Sequence, residues 1–298
     1  MNNFENYLVE LETGESLNVL SNFTLTSFDS TRELLVFNYG LACNFSHWEK
    51  QAPYFDSLGY QVLLYDYRGH FKSTNNGGLN SCTFENYVKD LHALLNQLNC
   101  KKPILLGHSM GVNIVLEYVL QYPEKSSSII IISGTVLSPR DYMFDSNMFE
   151  FIMPLLEAAN SQFPNIIGPI WKNSFKIPII RKIVHDGGFH KQKTDQDFVK
   201  NYIKKIGELP AELFFQMFDQ MHKHKILNRL HEIKNETLVI TGDQDKVIPS
   251  YLQKVFLKYM KNSELYLIRE GSHVPQVDFP DLVNKRIEIF LIKNNHLP

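Results

Sequence analysis

Cysteine is scarce in this chain of 298 residues: three in all, Cys43, Cys82 and Cys100. An odd number without metal-ligand spacing argues against a disulfide framework and a thiolate metal site, and makes buried free thiols in a reducing cytoplasm the expectation. Long apolar runs are missing too. None approaches the roughly 18 residues of a membrane-spanning helix, so no membrane span is expected. The opening residues, Met1-Asn2-Asn3-Phe4-Glu5-Asn6, have neither a positive region nor an apolar core and do not read as a signal peptide. Excess charge of one sign is also lacking. The formal net charge is −2, and no basic stretch is long enough to suggest a nucleic-acid or membrane-surface partner. No internal repeat, low-complexity tract or linker interrupts the chain, and nothing in its pattern sets an oligomeric state.

What is present is ordinary globular material, with 44% hydrophobic and 21% charged residues, enough for one large α/β domain or two small ones. Residues 7–12 and 16–20 flank Thr13-Gly14-Glu15 and read as a hairpin. Short apolar runs at 34–37, 61–65, 103–107 and 128–132 read as buried strands. Between them lie helical patterns: one ending near Gly59, one over 83–99 with Phe84, Tyr87, Val88, Leu91 and Leu95 on one face, and one from Met110 to about Tyr122. Strand and helix in alternation imply a mostly parallel central sheet with helices on both faces. From about 136 to 234 the alternation stops. That stretch holds helical patches broken by Pro154, Pro164, Pro169, Pro178 and Pro210 and rich in groups such as Phe151, Trp171, Phe175 and Phe214. The α/β pattern then resumes with strands at 237–241 and 264–268 and helices near 250–260 and 280–293. The expected organisation is therefore a core of 1–135 and 235–298 with a helical cap, 136–234, inserted in it.

The most informative stretch is 103–112, an apolar run that turns through Gly107-His108-Ser109-Met110-Gly111 into a helix. A serine between two glycines at a strand-to-helix turn sits in a strained exposed elbow, where a side chain at either glycine would crowd it. The helix behind it aims its first N–H groups at a bound carbonyl oxygen. A serine hydroxyl needs a base, and the base works best when a carboxylate orients it. Loops after later strands supply both: Asp243 and Asp245 in Gly242-Asp243-Gln244-Asp245, and His273 in Gly271-Ser272-His273. In a parallel sheet these loops open on the same edge as the elbow.

Over nearly its whole length the chain resembles the α/β-hydrolase superfamily. The resemblance rests on Asp66-Tyr67-Arg68-Gly69-His70, Gly107-His108-Ser109-Met110-Gly111, Gly242-x-x-Asp245-x-Val247-Ile248-Pro249 and Gly271-Ser272-His273, in order and each after its strand. It implies an α/β-hydrolase fold and a triad of Ser109, Asp245 and His273, with Asp245 selected over Asp243 by the Gly-x-x-Asp spacing. It also implies an oxyanion hole built from the backbone N–H groups of Leu41 and Met110. Two positions depart from the family pattern: Tyr39 precedes Gly40 where histidine is usual, and Phe71 stands where glycine is usual. Tyr39, His108, Trp171 and Val274 are expected at the substrate pocket. His222-Lys223-His224 is expected to be a solvated helix face, since i and i+2 point apart.

The function expected is a serine hydrolase acting on an ester or related acyl bond of a mainly apolar small molecule, with no metal or organic cofactor. C–C bond hydrolase, lactonase, acyltransferase and a non-turnover ligand-binding member share the same fold and triad and stay open. Serine in place of aspartate at the elbow argues against epoxide hydrolase and haloalkane dehalogenase chemistry, and the cap has no acidic cluster to grip a peptide amino terminus.

Overall fold

The computed structural model describes residues 3–41, 43–143 and 148–298. Eight strands form one sheet: β1 (Glu5–Glu10), β2 (Ser16–Ser21), β3 (Leu34–Asn38), β4 (Gln61–Tyr65), β5 (Ile104–His108), β6 (Ile129–Ile132), β7 (Thr237–Gly242) and β8 (Ser263–Ile268). Their order is β1-β2-β4-β3-β5-β6-β7-β8. β2 runs antiparallel to both of its neighbours, β1 and β4, and every other pair is parallel; the tight turn through Gly14 at φ +84° sets the β1–β2 pairing. Helices cover both faces of the parallel part, so every residue of β3 to β7 is buried and those strands read as continuous apolar runs.

Helix α1 (Gln51–Ser57) ends two residues before Gly59, which takes φ +99° just past the capping Leu58. Helix α2 (Phe84–Gln97) starts where Thr83 accepts a hydrogen bond from the Asn86 N–H, and buries its predicted face. In the loop after β4, Arg68 donates from Nε and Nη2 to Asp90 of α2 at 2.7 and 2.6 Å, fixing that loop to the helix layer. Phe71 in the same loop sits at φ +47°, the left-handed region that a glycine adopts without strain.

Helix α3 (Met110–Gln121) follows the elbow directly. It lies against the sheet so closely that a Cβ on Gly111 would stand 2.3 Å from the Asn38 carbonyl oxygen, and one on Gly107 2.7 Å from the Gly111 oxygen. Likewise a Cβ on Gly242 would stand 2.1 Å from the Gly271 oxygen. These glycines set how near the loops at the carboxyl edge of the sheet approach one another.

Between β6 and β7 the described chain is helical: α4 (Pro139–Tyr142), α5 (Met148–Gln162), α6 (Pro164–Lys172), α7 (Pro178–Gly188), α8 (Gln196–Ile206) and α9 (Ala211–Lys223). Residues 144–147 lie outside the described residues. Pro164 and Pro178 open α6 and α7, where proline's missing N–H costs nothing. Pro154 and Pro169, expected as breaks, lie instead inside α5 and α6, each giving up one backbone hydrogen bond. The expected solvated face at 222–224 holds for Lys223, which is exposed, and is corrected for the two histidines. His222 Nδ1 meets Ser138 Oγ at 2.8 Å, and His224 lies between Asn113 Nδ2 and Glu117 Oε2, each at 3.0 Å, so the end of α9 is fastened to α3. The remaining helices are α10 (Lys254–Tyr259), α11 (Pro275–Asp278) and α12 (Pro280–Lys293). Cys43 and Cys82 are buried and Cys100 is half-buried, all with free thiols. Among the described residues no helix is long and apolar enough to cross a membrane.

Gly111→Ala should lower stability by at least ~2 kcal/mol, because the new methyl meets the backbone of Asn38 and Tyr39 and cannot be accommodated by a rotamer. Urea unfolding would show this as a lower midpoint at unchanged slope; a midpoint equal to the parent's would contradict the close approach.

Candidate active site

Ser109 joins β5 to α3 at φ +53° and ψ −120°, outside the conformations that serine adopts at ease. The strain is held by its own N–H, which donates to the Ile132 carbonyl at 2.9 Å, and by the glycines around it. Gly40, in the loop after β3, passes so near that a Cβ there would lie 2.9 Å from the Ser109 Cβ.

The loops after β7 and β8 bring the expected partners to this serine. His273 Nε2 lies 3.0 Å from Ser109 Oγ, and its Nδ1 lies 3.0 and 3.2 Å from the Asp245 carboxylate oxygens. A carboxylate only accepts, so Nδ1 carries the proton, Nε2 presents a lone pair, and the Ser109 hydroxyl donates to it. Asp245 is buried and is itself held, one oxygen accepting the N–H groups of Val247 and Ile248 at 2.9 and 2.8 Å. Asp243 faces elsewhere and accepts the Glu270 N–H at 2.7 Å, the loop-capping role that leaves Asp245 for the histidine. Met110 is the first residue of α3, where helix geometry leaves the N–H without an intrahelical partner. Leu41 is half-buried in the loop after Gly40; its neighbour Ala42 lies outside the described residues.

The loop bearing His273 is held from several directions. His108 donates from Nε2 to the His273 carbonyl at 2.9 Å. Its Nδ1 is buried and unpartnered, and the ring stacks 6.0 Å from His47, whose two nitrogens are also buried and unpartnered. Burial holds both imidazoles neutral: His108 is pushed well below the usual histidine range, with the neighbouring His273 and His47 adding to the effect, and His47 is pushed down to about 3. Behind His273, the Ser272 N–H and hydroxyl donate to buried Asp278 at 2.9 and 2.6 Å, and Thr194 of the inserted segment donates to the other Asp278 oxygen at 2.5 Å. Val274, expected at the pocket, is buried with Phe189, Val199 and Ile203 of that segment. Sequence reasoning missed His47 and Asp278. Neither stands in a motif; His47 gains its place through contacts made across the fold, and Asp278 through Ser272 and the distant Thr194.

Two other expected pocket residues are placed as packing groups. Tyr39 is wholly buried beneath the loop after β3, its hydroxyl donating to Asp66 Oδ1 at 3.1 Å and accepting the Tyr67 N–H at 3.3 Å. Trp171 donates its indole N–H to the Leu209 carbonyl at 2.9 Å and packs on Phe214 and Phe215 within the inserted segment. Both rings are thus held in place by contacts with their own neighbours.

Asp66 carries a pH dependence. Burial pushes its carboxyl up to about 6, against hydrogen bonds from Asn18 and Tyr39 that pull the other way. An unfolded aspartate titrates near ~3.9, so between the two values the folded chain binds more protons, and stability falls as pH rises through that window. Asp66→Asn keeps an acceptor for Tyr39 and does not ionise. Its stability relative to the parent should therefore rise by about 2 kcal/mol between pH ~4.5 and ~7.5, read from urea midpoints. A difference independent of pH would contradict this.

Comparison with known proteins bears on the whole arrangement. The alpha/beta hydrolase fold family matches residues 33–280. Proline iminopeptidase PfmaB of Pestalotiopsis fici is 26% identical over 85% of this chain and 89% of its own length. Protein ABHD8 of Mus musculus is 24% identical over 87% of this chain, which spans 55% of that protein. Among solved structures, the esterase EaEST of Exiguobacterium antarcticum superposes with a TM-score of 0.78 at 18% identity, covering 97% of this chain and all of that one. The chain belongs to the alpha/beta hydrolase fold family and is a hydrolase.

Proposed function

We propose that the protein is a serine hydrolase that cleaves an ester or related acyl bond of a mainly apolar small molecule, with Ser109 as nucleophile, His273 as base and Asp245 as orienting acid. The observation that carries this reading is the unbroken hydrogen-bonded order Ser109–His273–Asp245, in which each group's chemistry dictates its neighbour's proton. The esterase with a similar fold supports an acyl substrate.

In this reading His273 Nε2 takes the hydroxyl proton as Ser109 Oγ bonds to the substrate carbonyl carbon, and the carbonyl π electrons move to oxygen. The N–H groups of Met110 and Leu41 receive that oxyanion. The imidazolium then gives its proton to the leaving alkoxide as the C–O bond breaks, which leaves an acyl-Ser109 ester. Water repeats the cycle: His273 accepts its proton, hydroxide adds to the acyl carbon, and Ser109 leaves with the proton returned. Asp245 stays ionised throughout and stabilises the imidazolium. His47 and His108, held neutral by burial, leave His273 as the imidazole that carries charge in this cluster. Residues 136–234 act as a cap over this edge, resting on the His273 loop through Asp278 and Val274.

A panel of p-nitrophenyl esters of increasing acyl length tests the reading, with Ser109→Ala as the blank. The variant should fold and lose at least ~10³-fold in kcat on whichever ester the parent prefers. Full esterase activity in Ser109→Ala would sink the assignment.

A further inference from the structure

The inserted helices leave large apolar side chains in solvent. On α5, Phe151 and Leu155 lie one turn apart and are 66% and 69% exposed. On α6, Phe163, Ile166 and Ile170 recur at helical spacing and are 55%, 59% and 49% exposed, and Ile179 at the start of α7 is 60% exposed. Helix α5 packs on α6, and the turn at Ser174–Lys176 packs on both α6 and α7, so these stripes lie on successive, mutually packed elements. Exposed single hydrophobics are unremarkable, but such a run along consecutive elements marks an interaction surface.

Its charge says what it meets. Between residues 151 and 182 the cations are Lys172, Lys176, Arg181 and Lys182, all exposed. The one carboxylate there, Glu157, is half-buried and pairs with Arg140 at 3.5 Å. A cleft of about 390 Å³ between α7 and α8 is lined by Arg181, Lys182, His185 and Lys200, with Asp197 its only carboxylate. Val199 and Ile203 line the same cleft and pack on Val274 beside His273. Four of these cations lie between residues 172 and 182, interleaved with apolar residues rather than in an unbroken basic run, and the fold adds Lys200 from α8.

We propose that the inserted segment docks on an anionic phospholipid bilayer, with the α5–α7 apolar side chains entering the headgroup boundary and the α7–α8 cleft receiving lipid phosphates. Aliphatic groups flanked by exposed Lys and Arg are the composition of interfacial binding. A second copy of this chain is disfavoured as the occupant, because a twofold contact would set like charges against each other. The proposal concerns binding alone and stands apart from the role of Ser109.

Co-sedimentation of the full chain with large unilamellar vesicles tests it, using phosphatidylcholine alone and phosphatidylcholine mixed equally with phosphatidylglycerol. The parent should bind the anionic vesicles at least ~10-fold more tightly than the neutral ones, with the gap closing at high salt. Ile166→Asp with Ile170→Asp should weaken binding to anionic vesicles by ~10-fold or more, with thermal unfolding unchanged. Arg181→Glu with Lys182→Glu should abolish the preference for anionic lipid, and Ser109→Ala should bind as the parent does. Failure of the parent to bind anionic vesicles would overturn the proposal, as would binding indifferent to both double substitutions. A parent dimer in sedimentation equilibrium that Ile166→Asp with Ile170→Asp makes monomeric would assign the surface to self-association instead.

Discussion

The structure depends on how closely backbone passes backbone at the carboxyl edge of the sheet. Helix α3 is seated where no Cβ fits on Gly111, and the loops bearing Asp245 and His273 touch where none fits on Gly242. Those two approaches bring three side chains from β5, β7 and β8 into one hydrogen-bonded line. Ser109 bears the cost, in a left-handed conformation of the kind worth ~1–3 kcal/mol of strain, which persists because the strands and helix around it leave no alternative.

Protons follow from that geometry. Two turn amides hold the Asp245 carboxylate against His273 Nδ1, which settles the tautomer, and the tautomer turns the Ser109 hydroxyl into a donor. Around this line the protein has placed further imidazoles and buried them, so that neighbouring rings position the His273 loop without competing for its charge. The inserted segment reaches the same loop through Thr194 and Asp278 and through the apolar cluster at Val274.

Much of this was legible in the sequence because it is local. Apolar runs bounded by turn residues located the strands to within a residue or two, and the Gly-x-Ser-x-Gly spacing located the elbow. The loop partners of Ser109 were legible because parallel strands must end on one edge. What failed was decided by distant neighbours. The polar partners of Tyr39 and Trp171, Asp66 and Leu209, come from far along the chain and could not be read from their surroundings in sequence. His222 and His224 look solvated until Ser138, Asn113 and Glu117 arrive from other elements. Pro154 and Pro169 read as breaks, yet each helix continues past them with one hydrogen bond fewer. Asp278 carries no local pattern at all, since its three donors come from residues 194 and 272.

The central claim is that Ser109 is made nucleophilic by the imidazole of His273. Peptide mapping by mass spectrometry after a fluorophosphonate is added tests it most directly, comparing the parent with His273→Gln. The account predicts a phosphonyl adduct on the peptide containing Ser109 in the parent and none in the variant over the same time. An adduct on another residue, or equal labelling of Ser109 in both proteins, would contradict it.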